Sequence, residues 1–329
     1  MTGTLNMADM ARKVAAAPAA DAALIRAGAL LLMLVFAIKA ALFPLYFWLP
    51  RAYAAADAPV AALFAIMTKV GVYAMLRVST LIFGPDAGAA AGVLDAWLLP
   101  AALLTVAVAS FGVLAGATLR AMAGYLNIAS VGILCAGIGM ASAAALGATL
   151  YYLLHSTLVI ALLFLLIGLV RRSRADGNDR IERGPAPAHP TLLGGLFFAT
   201  AIAAAGLPPL SGFLGKLMLL QAAQGHGAAP WIWAVVLGNA LLALVALARA
   251  GSAVFWHTAP RAGAAPPAPP LTSRALPVVL LLACIVALTA AAGPVAAYTA
   301  ATARQLLRPA DYIHIVLDRA APAGARESP

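Results

Sequence analysis

Apolar runs long enough to cross a lipid bilayer recur along this chain, and three of its four lysines lie inside them. Lys39 sits in LLMLVFAIKAALFPLYFWLP, Lys69 in VAALFAIMTKVGVYAML and Lys216 in GLPPLSGFLGKLMLLQ; only Lys13 has polar neighbours. A helix needs about 20 apolar residues to span hydrocarbon. A charged side chain at that depth costs roughly 2.5–3.5 kcal/mol on insertion scales, so a lysine kept there points to function. Burial can make a lysine give up its proton, whereas an arginine stays charged. Lysines inside and arginines outside therefore suggest a membrane protein that moves protons or ions.

Composition agrees: 64% of the residues are hydrophobic and 10% charged, against about 45–50% and about 25% in soluble domains. About eight spans are expected, over 24–48, 58–83, 97–118, 123–142, 146–170, 191–222, 230–250 and 275–299. The fold class is thus an all-α integral membrane protein. The net charge of +10 comes from arginines in the connections, which argues for membrane topology and against a nucleic-acid partner. Cys135 and Cys284 are lone residues in apolar segments, implying neither disulfide nor metal site. Residues 1–23 lack the apolar run of a secretory leader.

Residues 171–190 and 257–274 read as solvated linkers, the first with mixed charge and the second rich in proline and alanine. Asp176, Asp179 and Glu182 do not have calcium-loop spacing. Arg51, Arg120, Arg171, Arg172, Arg174, Arg180, Arg183, Arg261 and Arg274 all fall on one side of the alternating spans. That side, with the 171–190 loop, is expected to be cytoplasmic, and the 1–23 segment and 300–329 tail to face outward. Trp48, Trp97, Trp231 and Trp256 fall near span ends, as interfacial anchors do.

Two spans are interrupted. Pro44 falls within 24–48, and 191–222 carries Gly206, Pro208, Pro209, Gly212 and Gly215. Proline removes a donor and clashes with the preceding turn, so both helices are expected to break. Each interrupted span carries a lysine, Lys39 or Lys216, and broken helices in transporters border ion sites. Lys39 reads as a proton carrier or, alternatively, as a snorkelling side chain. Lys69 reads as a second carrier or as a hydrogen-bonding link between helices, with Thr68 and Gly71 allowing close approach. His155, followed by Ser156 and Thr157, can take a proton on one ring nitrogen and release it from the other, or can be a satisfied core donor. Asp57 and Arg51 suggest a gate or an interfacial pair, and Asn127 and Ser130 read as inter-helix hydrogen-bonding groups. No phosphate loop, metal-spaced Cys/His set or catalytic triad is visible, so no cofactor and no enzyme activity are expected.

The stretch KAALFPLYFWLPRAYAAADAPVAALFAIMTKVGVYAMLR resembles the antiporter-like family that joins Mrp-type cation/proton antiporter subunits to the membrane-arm subunits of respiratory complex I. Lys39, Pro44, Trp48, Pro50, Pro59, Val60, Lys69, Gly71 and Tyr73 fit its pattern. MTKVGVYA, HSTLVIALLFLLIGLV and GLPPLSGFLGKLMLLQ are most similar to the D-type branch of the Mrp subunits. The resemblance implies inverted repeats with two broken helices, 24–83 ending the first repeat and 97–250 forming the second, followed by a last span over 275–299. It implies a proton path in which Lys39 and Lys216 match the broken-helix lysines, Lys69 the linking lysine and His155 the histidine of the second half. It further implies a bacterial inner membrane, partner subunits in a hetero-oligomeric complex, and monovalent cations and protons as cargo.

Two departures stand out. Ile160 occupies a position where many relatives have lysine. The family also has more helices than this chain, so the resemblance implies that several lie outside it, including one whose glutamate pairs with the Lys39-type lysine. Three readings follow: an antiporter subunit, a complex I-type proton-pumping subunit, or a non-conducting assembly subunit.

Overall fold

The computed structural model describes residues 2–258 and 272–320. Linker residues 259–271, with Arg261, lie outside the described residues, as does the side chain of Arg274. The chain opens with α1 (Met7–Ala15), started by Asn6, whose Oδ1 accepts from the Ala8 amide at 2.9 Å. Residues 1–23, expected to be loop-like, thus hold a helix: a capping asparagine, Asp9 in the first turn and Arg12 and Lys13 in the last favour it. α2 (Ala22–Ala40) ends at Ala41, whose φ is +63°. The Leu42 amide reaches back to the Ala37 carbonyl at 2.9 Å, closing the helix end. The Phe43–Pro44 bond is cis, and the chain becomes helical again in α3 (Trp48–Ala55). The first expected break is therefore present, at Ala41–Phe47.

α4 (Ala58–Leu81) follows Asp57, carries Pro59 in its first turn and runs against α2. Gly71 permits this contact, since a Cβ there would lie 2.9 Å from the Ala40 backbone nitrogen. α5 (Asp95–Ala115) and α6 (Leu119–Gly139) pack along their lengths. Small residues bring them together: a Cβ on Gly132 would meet the Ala102 carbonyl at 2.9 Å, and one on Gly139 the Leu99 backbone at 3.0 Å. α6 is buried almost throughout and forms the central post with α7 (Ala143–Ser173), the longest described helix. Residues Pro190–Ala205 form α8 and Ser211–Ala222 form α9, and between them lies a cis Pro208–Pro209 bond. Gly206, at φ +78°, ends α8, and the Leu207 amide bonds back to Ile202 at 3.0 Å. The second break thus repeats the construction of the first, with glycine at the left-handed position where the first has Ala41 and an expected strain of roughly 1–2 kcal/mol.

α10 (Ala229–Gly251) runs on into a widened turn, Ser252–Trp256. α11 (Thr272–Ala290) and α12 (Ala292–Leu306) meet at 78°. The span expected to run straight over 275–299 is therefore bent at Ala291. Pro294 has no amide to give the Ala290 carbonyl, so the helix cannot continue unbroken. α13 (Pro309–Ala320) folds the start of the 300–329 tail back onto α1, which puts the described chain ends together.

Among the described residues, six helices are long and apolar enough to cross a membrane, and the bent pair makes seven. The eighth expected crossing is α8 with α9. At 16 and 12 residues they measure only about 24 and about 18 Å, short of the roughly 30 Å hydrocarbon core when taken singly. The chain is thus an all-helical membrane protein with broken spans.

The 171–190 segment is not the freely solvated linker expected from its composition. Asp179 is only 2% exposed and takes a two-pronged bond from Arg120, with both contacts at 3.0 Å. Arg120 also donates to the Ala54 carbonyl at the end of α3. Backbone bonds Leu119 to Asp179 and Ile181 to Ala117, both 2.9 Å, fix the loop beside α6. Arg174 is buried against the Arg180 carbonyl at 3.0 Å and Asp176 at 3.4 Å. Alternating signs let these charges fasten one another, so the loop folds back instead of staying in water.

Candidate functional site

Lys69 is 3% exposed at the middle of α4. Its ammonium donates to Asn127 Oδ1 at 2.5 Å and Ser130 Oγ at 2.8 Å, both on α6. Asn127 and Ser130 are one helical step apart and so share a face. Ser130 turns its own proton to the Asn127 carbonyl at 2.6 Å, leaving its oxygen free to accept from lysine. The Asn127 amide reaches Thr68 Oγ1 at 3.4 Å, and Thr68 donates to Ala65 at 3.0 Å. Buried Tyr53, on α3 beyond the first break, donates to the Phe64 carbonyl and approaches both Thr68 and Asn127. Lys69 therefore has a neutral polar cradle and, among the described residues, no carboxylate partner.

His155 is 1% exposed on α7 and faces the second break. Its Nδ1 lies 2.9 Å from Ser211 Oγ at the start of α9. Gly212 makes room on the other side: a Cβ there would sit 2.6 Å from both His155 Nε2 and the Ala203 carbonyl. Lys216 lies further along α9, and its Nζ donates to the Ala205 carbonyl at 2.8 Å. That carbonyl is one of the last four of α8, which have no partner within the helix and form the negative end of its dipole. The break thus supplies Lys216 with an acceptor.

The other sequence candidates divide. Pro208, Pro209 and Gly212 lie at the second break and Pro44 at the first. Ser156 and Thr157 both donate to the Leu153 carbonyl of their own helix, at 3.2 and 2.8 Å, and so stand outside the His155 contacts. Asp57 is exposed and forms no ion pair with Arg51; with Arg171 and Arg172 it lines a cavity of about 270 Å³. Ile160 is buried.

Lys39 is not brought together with the other three. It is exposed on α2 and makes no hydrogen bond or ion pair among the described residues. Leu34, Val35 and Ile38 of α2 are exposed as well, and so is the apolar face of α4 that carries Leu63, Ile66, Met67 and Val70. No described element of this chain packs over that face, so the expected burial of Lys39 is absent.

Sequence reasoning underrated Asn127 and Ser130, whose three-residue spacing within YLNIASVG signals one polar face. It missed Ser211, Thr105 and Thr289, whose neighbours come from distant helices. The Phe43 amide at the first break donates to Thr105 Oγ1, and the Ser211 amide at the second to Thr289 Oγ1, both at 2.9 Å. No group of three metal-ligating side chains comes together among the described residues.

Residues 1–243 match the family model described as NADH:quinone oxidoreductase/Mrp antiporter, TM. The chain belongs to this family. Among its curated relatives is the D-type subunit of a probable K(+)/H(+) antiporter from Rhizobium meliloti (strain 1021), 39% identical over 96% of this chain and 63% of the relative. The D-type subunit of the Na(+)/H(+) antiporter from Alkalihalophilus pseudofirmus is 36% identical, again over 96% of this chain and 63% of the relative. A chain in the structure of the Mrp complex from Dietzia sp. DQ12-45-1b superposes with a TM-score of 0.80 at 26% identity, covering 96% of this chain and 65% of that one. This family member spans just under two thirds of the length of those relatives. The antiporter-like fold expected from the resemblance is the fold observed.

Proposed function

We propose that this chain is a proton-conducting subunit of a multi-subunit monovalent cation/proton antiporter in the bacterial inner membrane. The observation that carries the reading is the set of three buried basic side chains, Lys69, His155 and Lys216, held by neutral polar groups along α4, α7 and α9. Each holds or releases a proton, and like charges repel, so a proton arriving at one site favours departure from the next. Asn127 Oδ1, Ser130 Oγ and the Ala205 carbonyl accept from the charged lysines. No covalent step is needed.

Lys39 is the fourth carrier in this reading, working against helices supplied from outside this chain. The uncovered apolar face around it suits such packing, and relatives named as antiporter subunits support partner subunits for this chain as well. Those relatives are named for potassium and for sodium, which supports a monovalent cation exchanged for protons as the cargo. The arginine-rich 171–190 side is cytoplasmic and both chain ends are outward; the packing of α13 on α1 fits a shared side for the ends.

The test is sodium- or potassium-dependent collapse of a pH gradient in everted vesicles whose antiporter complex lacks its own D-type subunit. Activity restored by this chain and lost with Lys69→Ala, at equal membrane levels, supports the reading. Failure of the inserted wild-type chain to restore exchange would overturn it in favour of a non-conducting assembly role.

A further inference from the structure

The Ser211 amide is buried at the first turn of α9, where no helical carbonyl is available to it. Thr289 on α11 takes it, Oγ1 accepting at 2.9 Å. The hydroxyl proton of Thr289 goes to the Ile285 carbonyl at 2.8 Å, which leaves the oxygen's lone pairs turned to the amide. Ser211 in turn places its own Oγ 2.9 Å from His155 Nδ1. On the far side of the ring, Nε2 and the Ala203 carbonyl share the gap that Gly212 leaves open. The imidazole is thus held from α9 on one nitrogen and faces α8 on the other, so its orientation depends on where α9 begins.

We infer that Thr289 is a positioning residue for His155, acting through the backbone of Ser211. This rests on His155 belonging to the proton path. In the tautomer that carries its proton on Nε2, Nδ1 is the lone-pair nitrogen of neutral His155 and Ser211 donates to it. Loss of the Thr289 acceptor frees the start of α9 and releases Ser211 from that geometry. Two further features favour a positioning role over simple packing. Thr105 serves the first break in the same way, taking the Phe43 amide while donating to Ala101 at 2.6 Å. Thr289 also lies two residues before the 78° bend at Ala291, and the neighbouring Leu288 carbonyl accepts from Tyr151 of α7 at 3.4 Å. Thr289 thus links α11 beside the bend to the ring through two successive hydrogen bonds, its own to the Ser211 amide and that of Ser211 Oγ with His155 Nδ1.

The test compares wild type, Thr289→Val and Thr289→Ser in the assembled complex, reading two quantities. One is hydrogen–deuterium exchange of the peptide containing Ser211; the other is cation-dependent proton transport in vesicles. Valine keeps the shape and loses the acceptor, so Ser211 exchange is expected to rise, and transport to fall, by about tenfold each. Serine keeps the hydroxyl and is expected to hold both within about twofold of wild type. Unchanged protection in the valine variant overturns the inference, as does lost protection with undiminished transport. Equal loss in valine and serine assigns Thr289 to packing alone and also overturns it. If the wild-type complex does not exchange cations, the transport reading fails by itself, while Ser211 protection still decides whether Thr289 holds α9.

Discussion

Lys216 Nζ donates to the Ala205 carbonyl at 2.8 Å, across the break that separates their helices. A Cβ on Gly206 would lie 2.9 Å from that nitrogen, so the lysine runs flush against the left-handed turn ending α8. The same proline-rich interruption that opens the span exposes the carbonyl the lysine uses.

Substitution at Lys216 tests this fit. Lys216→Leu is expected to insert and assemble but to lower proton transport by more than about tenfold, since the amine that meets the Ala205 carbonyl across the break is lost. Lys216→Arg is expected to fail as well, because guanidinium stays protonated and does not fit against Gly206. The check is transport in vesicles matched for the amount of chain in the membrane.

Gly212→Ala introduces a methyl 2.6 Å from His155 Nε2 and from the Ala203 carbonyl. The carbonyl is backbone and the ring is packed, so neither yields readily. A cost of about 1–3 kcal/mol is expected, with displacement of the imidazole from Ser211. A lower unfolding temperature in detergent together with lost transport would bear this out, whereas wild-type behaviour in both would count against the close packing.

The Lys69 cradle makes a non-additive pair. Asn127→Leu and Ser130→Ala each remove one acceptor, at a cost of about 1–3 kcal/mol to the charged form of the lysine. Because both act on one ammonium, the double substitution is expected to depart from the sum of the singles by at least about 0.5 kcal/mol. A double-mutant cycle on transport rates measures the coupling; strict additivity would place the two residues outside the path.

Asp179→Ala strands Arg120 and unpins the 171–190 loop. Breaking a fully buried pair costs about 3–5 kcal/mol. Arg120 keeps 25% side-chain exposure, so a smaller loss of about 2 kcal/mol is expected. Limited proteolysis between Arg174 and Pro190 should quicken in the variant. An unchanged cleavage rate would mean the backbone bonds at Leu119 and Ile181 suffice.

Much of this architecture was legible in the residues. Run length forces the spans, because a chain in hydrocarbon must satisfy its own backbone groups. Pro44 and the Gly206–Gly212 cluster mark two breaks because proline cannot donate and glycine accepts the left-handed turn. The bend at Ala291 was missed, although Pro294 carries the same signal, because the apolar run continues through it.

Burial and pairing came from the tertiary structure, because hydropathy reports how far a segment can go into lipid and not what covers it. Lys39 and Lys69 occupy equally apolar runs, yet Lys69 meets Asn127 and Ser130 on α6 while Lys39 stands on an uncovered face of α2. Asp179 reads as loop charge until Arg120, 59 residues earlier, folds against it. Thr289 reads as one more residue of an apolar span, and only the approach of α11 to the second break turns its hydroxyl into the acceptor for Ser211. Local sequence specifies helices and their interruptions through backbone chemistry; which buried cation finds an acceptor depends on helices far apart in the chain arriving within hydrogen-bond distance.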